Sequence, residues 1–135
     1  MDDIKAILGL ACKVSTAYKN GPLNYRHVSD EVESLHIIID KAVSHFESST
    51  LGDNEWQEGQ EVLRGCQNVL EDLDSLIEKY ISLATTNNTF QVFRRVKLGT
   101  EDILTLRVRL ISNTALLNSF IQRFMFLLLL FTVLY

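Results

Sequence analysis

Residues 63–84, LRGCQNVLEDLDSLIEKYISLA, decide the fold. Leu63, Cys66, Leu70, Leu73, Ile77, Tyr80 and Ala84 follow one another at steps of 3, 4, 3, 4, 3 and 4 residues. On a helix of about 3.6 residues per turn, side chains so spaced return to one face. The carboxylates between them, Glu71, Asp72, Asp74 and Glu78, fall on the complementary face. A half-buried strand would alternate with period two, and no segment longer than four residues in this chain does so cleanly.

The same rhythm recurs on either side. Val28, Val32, Leu35, Ile39, Ala42 and Phe46 step by 4, 3, 4, 3 and 4. Ile103, Leu106, Leu110, Asn113, Leu117, Phe120 and Phe124 step by 3, 4, 3, 4, 3 and 4, with Asn113 the one polar member. A shorter set, Ile4, Ile7, Leu8, Ala11, Val14 and Tyr18, precedes them. These spacings predict an all-α protein, an antiparallel helical bundle of about four main helices. Six glycines and one proline are too few for a sandwich or barrel, which needs frequent turns.

The boundaries have local causes. Asn20-Gly21-Pro22 stops the first helix, glycine suiting the C-terminal cap and proline the start of the next. Ser48–Asp53 separates the second from the third, with Asp53 as N-cap, and Thr85–Asn88 ends the third. Thr100 is expected to cap the last helix, with Glu101 and Asp102 in its first turn, where the helix dipole favours negative charge. Between these, Phe90–Leu98 reads as a short elbow helix. At 135 residues the chain fits one domain, a bundle over residues 1–124 followed by an apolar tail over 125–135.

Charge is unevenly distributed. Residues 1–90 hold seven basic and fifteen acidic side chains, and residues 91–135 hold six and two. An acidic body repels phosphate, so no nucleic-acid partner is expected. His27, His36 and His45 lie nine residues apart, so neighbours point to opposite faces and cannot converge on a metal. The carboxylates are explained as a solvated helix face, the glycines are scattered, and neither Cys12 nor Cys66 has a histidine at a catalytic spacing. Both cysteines are read as small hydrophobes on apolar stripes, in a reducing, cytoplasmic compartment. Asn87-Asn88-Thr89 is read as a polar turn, and Trp56 as a staple at the entry of the third helix. No enzyme activity, cofactor, metal or small-molecule substrate is expected.

The segments ILGLACKVSTAYKN, VSDEVESLHIIIDKA, LRGCQNVLEDLDSLIEKY and FQVFRRVKLGTEDILTLRVRLISNTALLNSFI carry a resemblance over roughly residues 4–124. Together they resemble the fungal N-terminal domain of STAND-type (NACHT-bearing) signalling proteins, the HeLo-like group that includes the azaphilone-cluster protein L N-terminal domain. The resemblance implies a helical bundle that transmits a signal or executes cell death, by self-association or by perturbing a membrane. The chain departs from the pattern in having no NTPase or sensor region and a short first helix, so it would act as a stand-alone module.

The tail, RFMFLLLLFTVLY over 123–135, is the remaining puzzle. Its twelve residues after Arg123 would make about 18 Å of helix against about 30 Å of bilayer hydrocarbon, so it does not span alone. Leu127, Phe131 and Leu134 continue the core stripe, whereas Phe126, Leu128, Leu129, Leu130 and Val133 face outward. Three readings follow: association with an anionic membrane, burial against another chain, or a domain whose usual continuation is replaced. The residues expected to meet a membrane or a protein partner are Arg94, Arg95, Lys97, Arg123, Phe124, Phe126, Leu128, Leu129, Phe131 and Tyr135. The functional expectation is a signalling or interaction module working through a protein partner or self-association. The alternative is a membrane-associated or tail-anchored helical protein.

Overall fold

The computed structural model describes residues 2–20, 23–47, 53–84 and 89–134. They form helices α1 (Asp2–Tyr18), α2 (Leu23–Glu47), α3 (Asp53–Ala84) and α4 (Thr89–Leu134), with no strand among the described residues. The expected all-α bundle is what forms. Helix α1 ends at Tyr18 and α3 at Ala84, while Gly21, Pro22 and residues 85–88, on which the expected turns fall, lie outside the described residues.

One boundary differs. Residues 90–98 are helical, but they are the first turns of α4, which runs unbroken for 46 residues. The elbow is therefore not separate, and Thr100 is not an N-cap but an interior position. A cap signal stabilises a helix start without forcing one. Carrying the backbone hydrogen bonds through Gly99 costs only about 1 kcal/mol relative to alanine, which a continuous helix recovers from its uninterrupted ladder.

Inter-helix pairs set the arrangement. Arg109 reaches Asp72, Asn113 abuts Gly65, Phe120 covers Gly59 and Arg123 reaches Glu58, so α4 rises in number as α3 falls. The two are antiparallel. Helices α1 and α2 are antiparallel as well, with Ser15 on Ser29 and Tyr18 on Tyr25. Between these hairpins, Glu31 meets Arg107, while Ile38 shares a groove with Ile111 and Thr114, so α2 and α4 run parallel. Helix α1 packs on α3 through Lys13–Asp74 and Tyr18–Leu73. Round the bundle the order is α1, α2, α4, α3. Among the described residues, α2 and α3 are diagonal and do not pack together.

The core is the set of stripes read from the sequence: Ile7, Ala11, Val14 and Tyr18 from α1; Val28, Val32, Leu35 and Ile39 from α2; Cys66, Leu70 and Leu73 from α3; Ile103, Leu110 and Leu117 from α4. Two glycines allow close approach. A Cβ on Gly59 would stand 3.0 Å from the Phe120 ring, and one on Gly65 would stand 2.7 Å from Asn113 Oδ1. Asn113 donates its amide to the Arg109 carbonyl at 2.9 Å, so the polar interruption of the α4 stripe is satisfied locally and seated in the gap that Gly65 leaves.

Polar contacts fix the register of these faces. Ser29 Oγ donates to the Ser15 carbonyl at 2.8 Å, which needs small side chains at the α1–α2 crossing. Arg107 donates to Glu31 through Nε at 3.1 Å and through a terminal nitrogen at 2.6 Å, each side chain 21% exposed. This forked, half-buried pair is stronger than an ordinary surface ion pair. Glu31→Gln is expected to cost about 1–2 kcal/mol in urea unfolding, with most of the difference persisting in high salt because a half-buried pair is screened little.

The offsets also show where each helix stops. Carrying the α2–α4 register forward, Glu47 ends level with Arg123; carrying the α3–α4 register back, Asp53 begins level with Leu127. The last turns of α4 therefore project past both neighbours.

A candidate interaction surface on α4

The outward side of α4 carries a second apolar stripe. Leu104, Val108, Ile111, Ala115, Asn118, Gln122, Phe126, Leu129 and Val133 step by 4, 3, 4, 3, 4, 4, 3 and 4, and every one is exposed. Val108 is 64%, Phe126 61% and Val133 81% exposed. At about 100° per residue this row lies roughly opposite the buried row Ile103, Leu106, Leu110, Leu117, Phe120 and Phe124. Helix α4 is thus apolar on two faces, and the bundle uses one.

Of the large hydrophobics exposed among the described residues, only Ile37 lies outside α4. Leu116, Leu127 and Leu130 are exposed on α4 as well, to one side of this row. Single exposed apolar residues need no explanation, but exposure concentrated on one helix marks a candidate contact surface. Its length is about 44 Å from Leu104 to Val133 at 1.5 Å per residue. Charges stand only on its shoulders. Arg107 is drawn to Glu31 on the α2 side, while Arg109 and Arg123 are drawn to Asp72 and Glu58 on the α3 side.

The residues expected from the sequence divide accordingly. Phe126 and Leu129 are on the outward stripe, and Leu128 is half-buried. Phe124 is a correction: it is buried, a core residue and not a contact. Arg123 is exposed but tied to Glu58 at 2.5 Å. Arg94, Arg95 and Lys97 belong to the first turns of α4, and Phe131 to its last; their side chains, like all of Tyr135, lie outside the described residues. So do the side chains of Trp56 and His45. Leu127 was expected to continue the core stripe, yet it is largely exposed because α3 only begins at its level. Leu104, Val108, Ile111 and Ala115 are the exposed outward-row residues that following the core stripe overlooked. The signal was present: their spacing continues backward from Phe126, hidden by Asn118 and Gln122 in the middle.

A second concavity, between α1 and α2, is lined by Cys12, Glu33, His36 and Ile37. Among the described residues no three histidine, cysteine or carboxylate side chains are placed to hold a metal. The two thiols differ. Cys66 is buried, 3.9 Å from the Asn113 carbonyl, and burial pushes its pKa up to about 11. Cys12 was expected on the apolar stripe of α1, but Ala11 takes the inward position and Cys12 is exposed. The native chain is therefore expected to give one thiol to a disulfide reagent at pH 8 and two after denaturation; two fast thiols in the native chain would contradict the placement of Cys66.

Comparison with protein-family models, curated proteins and solved structures finds no match to this chain. The resemblance to STAND N-terminal domains rests on the residues quoted for it.

Proposed function

We propose that this chain is a non-enzymatic interaction module that binds a protein helix on the outward face of α4, in a cytoplasmic setting. The observation that carries the reading is the exposed row from Leu104 to Val133 on a helix whose other face is already committed to the core. An amphipathic partner helix lays its apolar side along such a row, anchored at three- and four-residue intervals. The resemblance to fungal STAND N-terminal domains of the HeLo-like group supplies the signalling role, in which such a module passes on a signal by changing what it binds.

A second reading has one observation in its favour. Asp102–Leu130 is 29 residues long and apolar enough to cross a membrane. In that reading the chain is a membrane-associated or membrane-perturbing helical protein held to an anionic surface by α4. Against it, Arg107, Arg109 and Arg123 all stand within the segment, seven to nine residues from its centre, and an arginine costs up to about 2.5–3.5 kcal/mol on insertion scales, less toward an end.

A photo-crosslinking amino acid at Ile111 or Phe126, in the full chain in cells, separates the two. The interaction reading expects discrete protein adducts from both positions and none from exposed Arg26 on α2. Adducts to lipid alone would overturn it in favour of the membrane.

A further inference from the structure

Resting on that interaction reading, we infer that the helix received by α4 is the α4 of a second copy, running antiparallel about a two-fold axis between Asn118 and Ser119. The pattern of the stripe is what points to it. Turned end for end about that axis, Leu104 falls opposite Val133, Val108 opposite Leu129, Ile111 opposite Phe126, and Ala115 opposite Gln122. Apolar residues meet apolar residues at both ends; at the centre Gln122 falls beside Ala115, and Asn118 stands next to the axis. A stripe with its polar interruption at one end would not map onto itself in this way. A two-fold interface uses the same patch on both partners, so self-complementarity is its requirement. A buried asparagine at the centre of such a seam fixes register.

Charge selects the direction. A parallel pair would bring Arg94, Arg95 and Lys97 of the two copies to the same level, six basic side chains against the four carboxylates of Glu101 and Asp102, a net excess of two like charges at one end. Antiparallel pairing sends these two clusters to opposite ends of the assembly and opposes the helix dipoles. The charges bordering the stripe, Arg107, Arg109 and Arg123, are neutralised within their own chain and do not repel a copy.

Size is at the lower limit. A seam about 44 Å long and one helix wide, about 10–12 Å, covers roughly 450–500 Å² on each copy. The pair together buries about 900–1,000 Å², the range of a weak dimer that forms at high protein concentration. The projecting end of each α4 would then lie against the bundle-backed first half of the other, which covers Phe126, Leu129 and Val133.

The test is a charge exchange read by sedimentation of the full chain. Wild type is expected to be a dimer, and V108E/L129E a monomer of unchanged helicity, since both positions are exposed in the single chain. V108K/L129E is expected to be a dimer again, because each lysine then faces a glutamate of the other copy. A monomeric wild type, or a V108E/L129E variant that still dimerises, would overturn the pairing. So would a monomeric V108K/L129E chain, and V108K copies pairing with V108E copies would then show a parallel seam. If wild type is monomeric yet Ile111 crosslinks to a different protein, only the self-pairing fails and the interaction reading stands.

Discussion

Leu110→Ala is expected to lower the stability of the bundle by about 2–5 kcal/mol, and Val108→Ala to change it by no more than about 0.5 kcal/mol. The two residues are neighbours on α4 and both are aliphatic, but about 200° of helical rotation separates them. Leu110 is fully buried among the stripes of the other helices, and truncating it leaves a cavity that close-packed neighbours fill only in part. Val108 stands on the outward row and loses little that a single chain uses. Urea unfolding at dilute concentration, where copies do not pair, reads both values from shifts in the midpoint at constant slope. A costly Val108 and a tolerant Leu110 would mean that α4 is turned by half a revolution and that its association face has been mistaken for its core.

Tyr18→Ala carries a second large effect, about 3–5 kcal/mol by analogy with other buried aromatic truncations. Tyr18 closes the end of α1. Its ring is fully buried, packs on Tyr25 at a centroid distance of 5.4 Å and a tilt of 45°, and its hydroxyl donates to the Leu73 carbonyl at 2.6 Å. One side chain therefore ties α1 to both α2 and α3. Tyr18→Phe keeps the ring and removes the hydrogen bond, so about 0.5–1.5 kcal/mol is expected. Burial, with Tyr25 and Asp74 nearby, raises the Tyr18 pKa well above the ordinary tyrosine range. The linkage then has a definite sign. A phenol whose folded pKa is raised contributes its full stability below the unfolded pKa near 10 and loses it as pH climbs above that value. Alkaline difference spectroscopy on wild type and Tyr18→Phe checks this: the Tyr18 signal should emerge only as the chain unfolds.

The bundle was legible because its core stripes are nearly uninterrupted. Every residue from Leu63 to Ile77 that the 3–4 spacing places on one face is buried, as are Ile4, Ile7, Ala11, Val14 and Tyr18 of α1 and Val28 to Ala42 of the α2 stripe. Leu8 is only partly buried, and the side chains of Phe46, Tyr80 and Ala84 lie outside the described residues. The elbow at residues 90–98 was not legible, because Thr100-Glu101-Asp102 has the chemistry of a helix start and nothing local says that the preceding turns will continue into it. The ring order was hidden for a different reason: it depends on pairs such as Glu31–Arg107 and Lys13–Asp74 that lie far apart in the chain. The surface on α4 was half legible. The apolar tail marked Phe126 and Leu129 as outward-facing, but Asn118 and Gln122 masked the row's continuation to Leu104. Once the buried row of α4 is known, most of the remaining apolar residues resolve into a second row, with Leu116, Leu127 and Leu130 to one side of it, and the tail becomes one end of that row.

The distance between two copies labelled at one position tests the seam most directly. A spin label at position 108 (V108C in a Cys12→Ser background, leaving only the buried Cys66) sits 21 residues from its counterpart's level in an antiparallel pair. Dipolar spectroscopy of the full chain should then give an inter-copy distance of about 32 Å at 1.5 Å per residue. A distance near the spacing of two packed helices, about 10 Å, would contradict the antiparallel seam, and the absence of dipolar coupling would contradict pairing through α4 altogether.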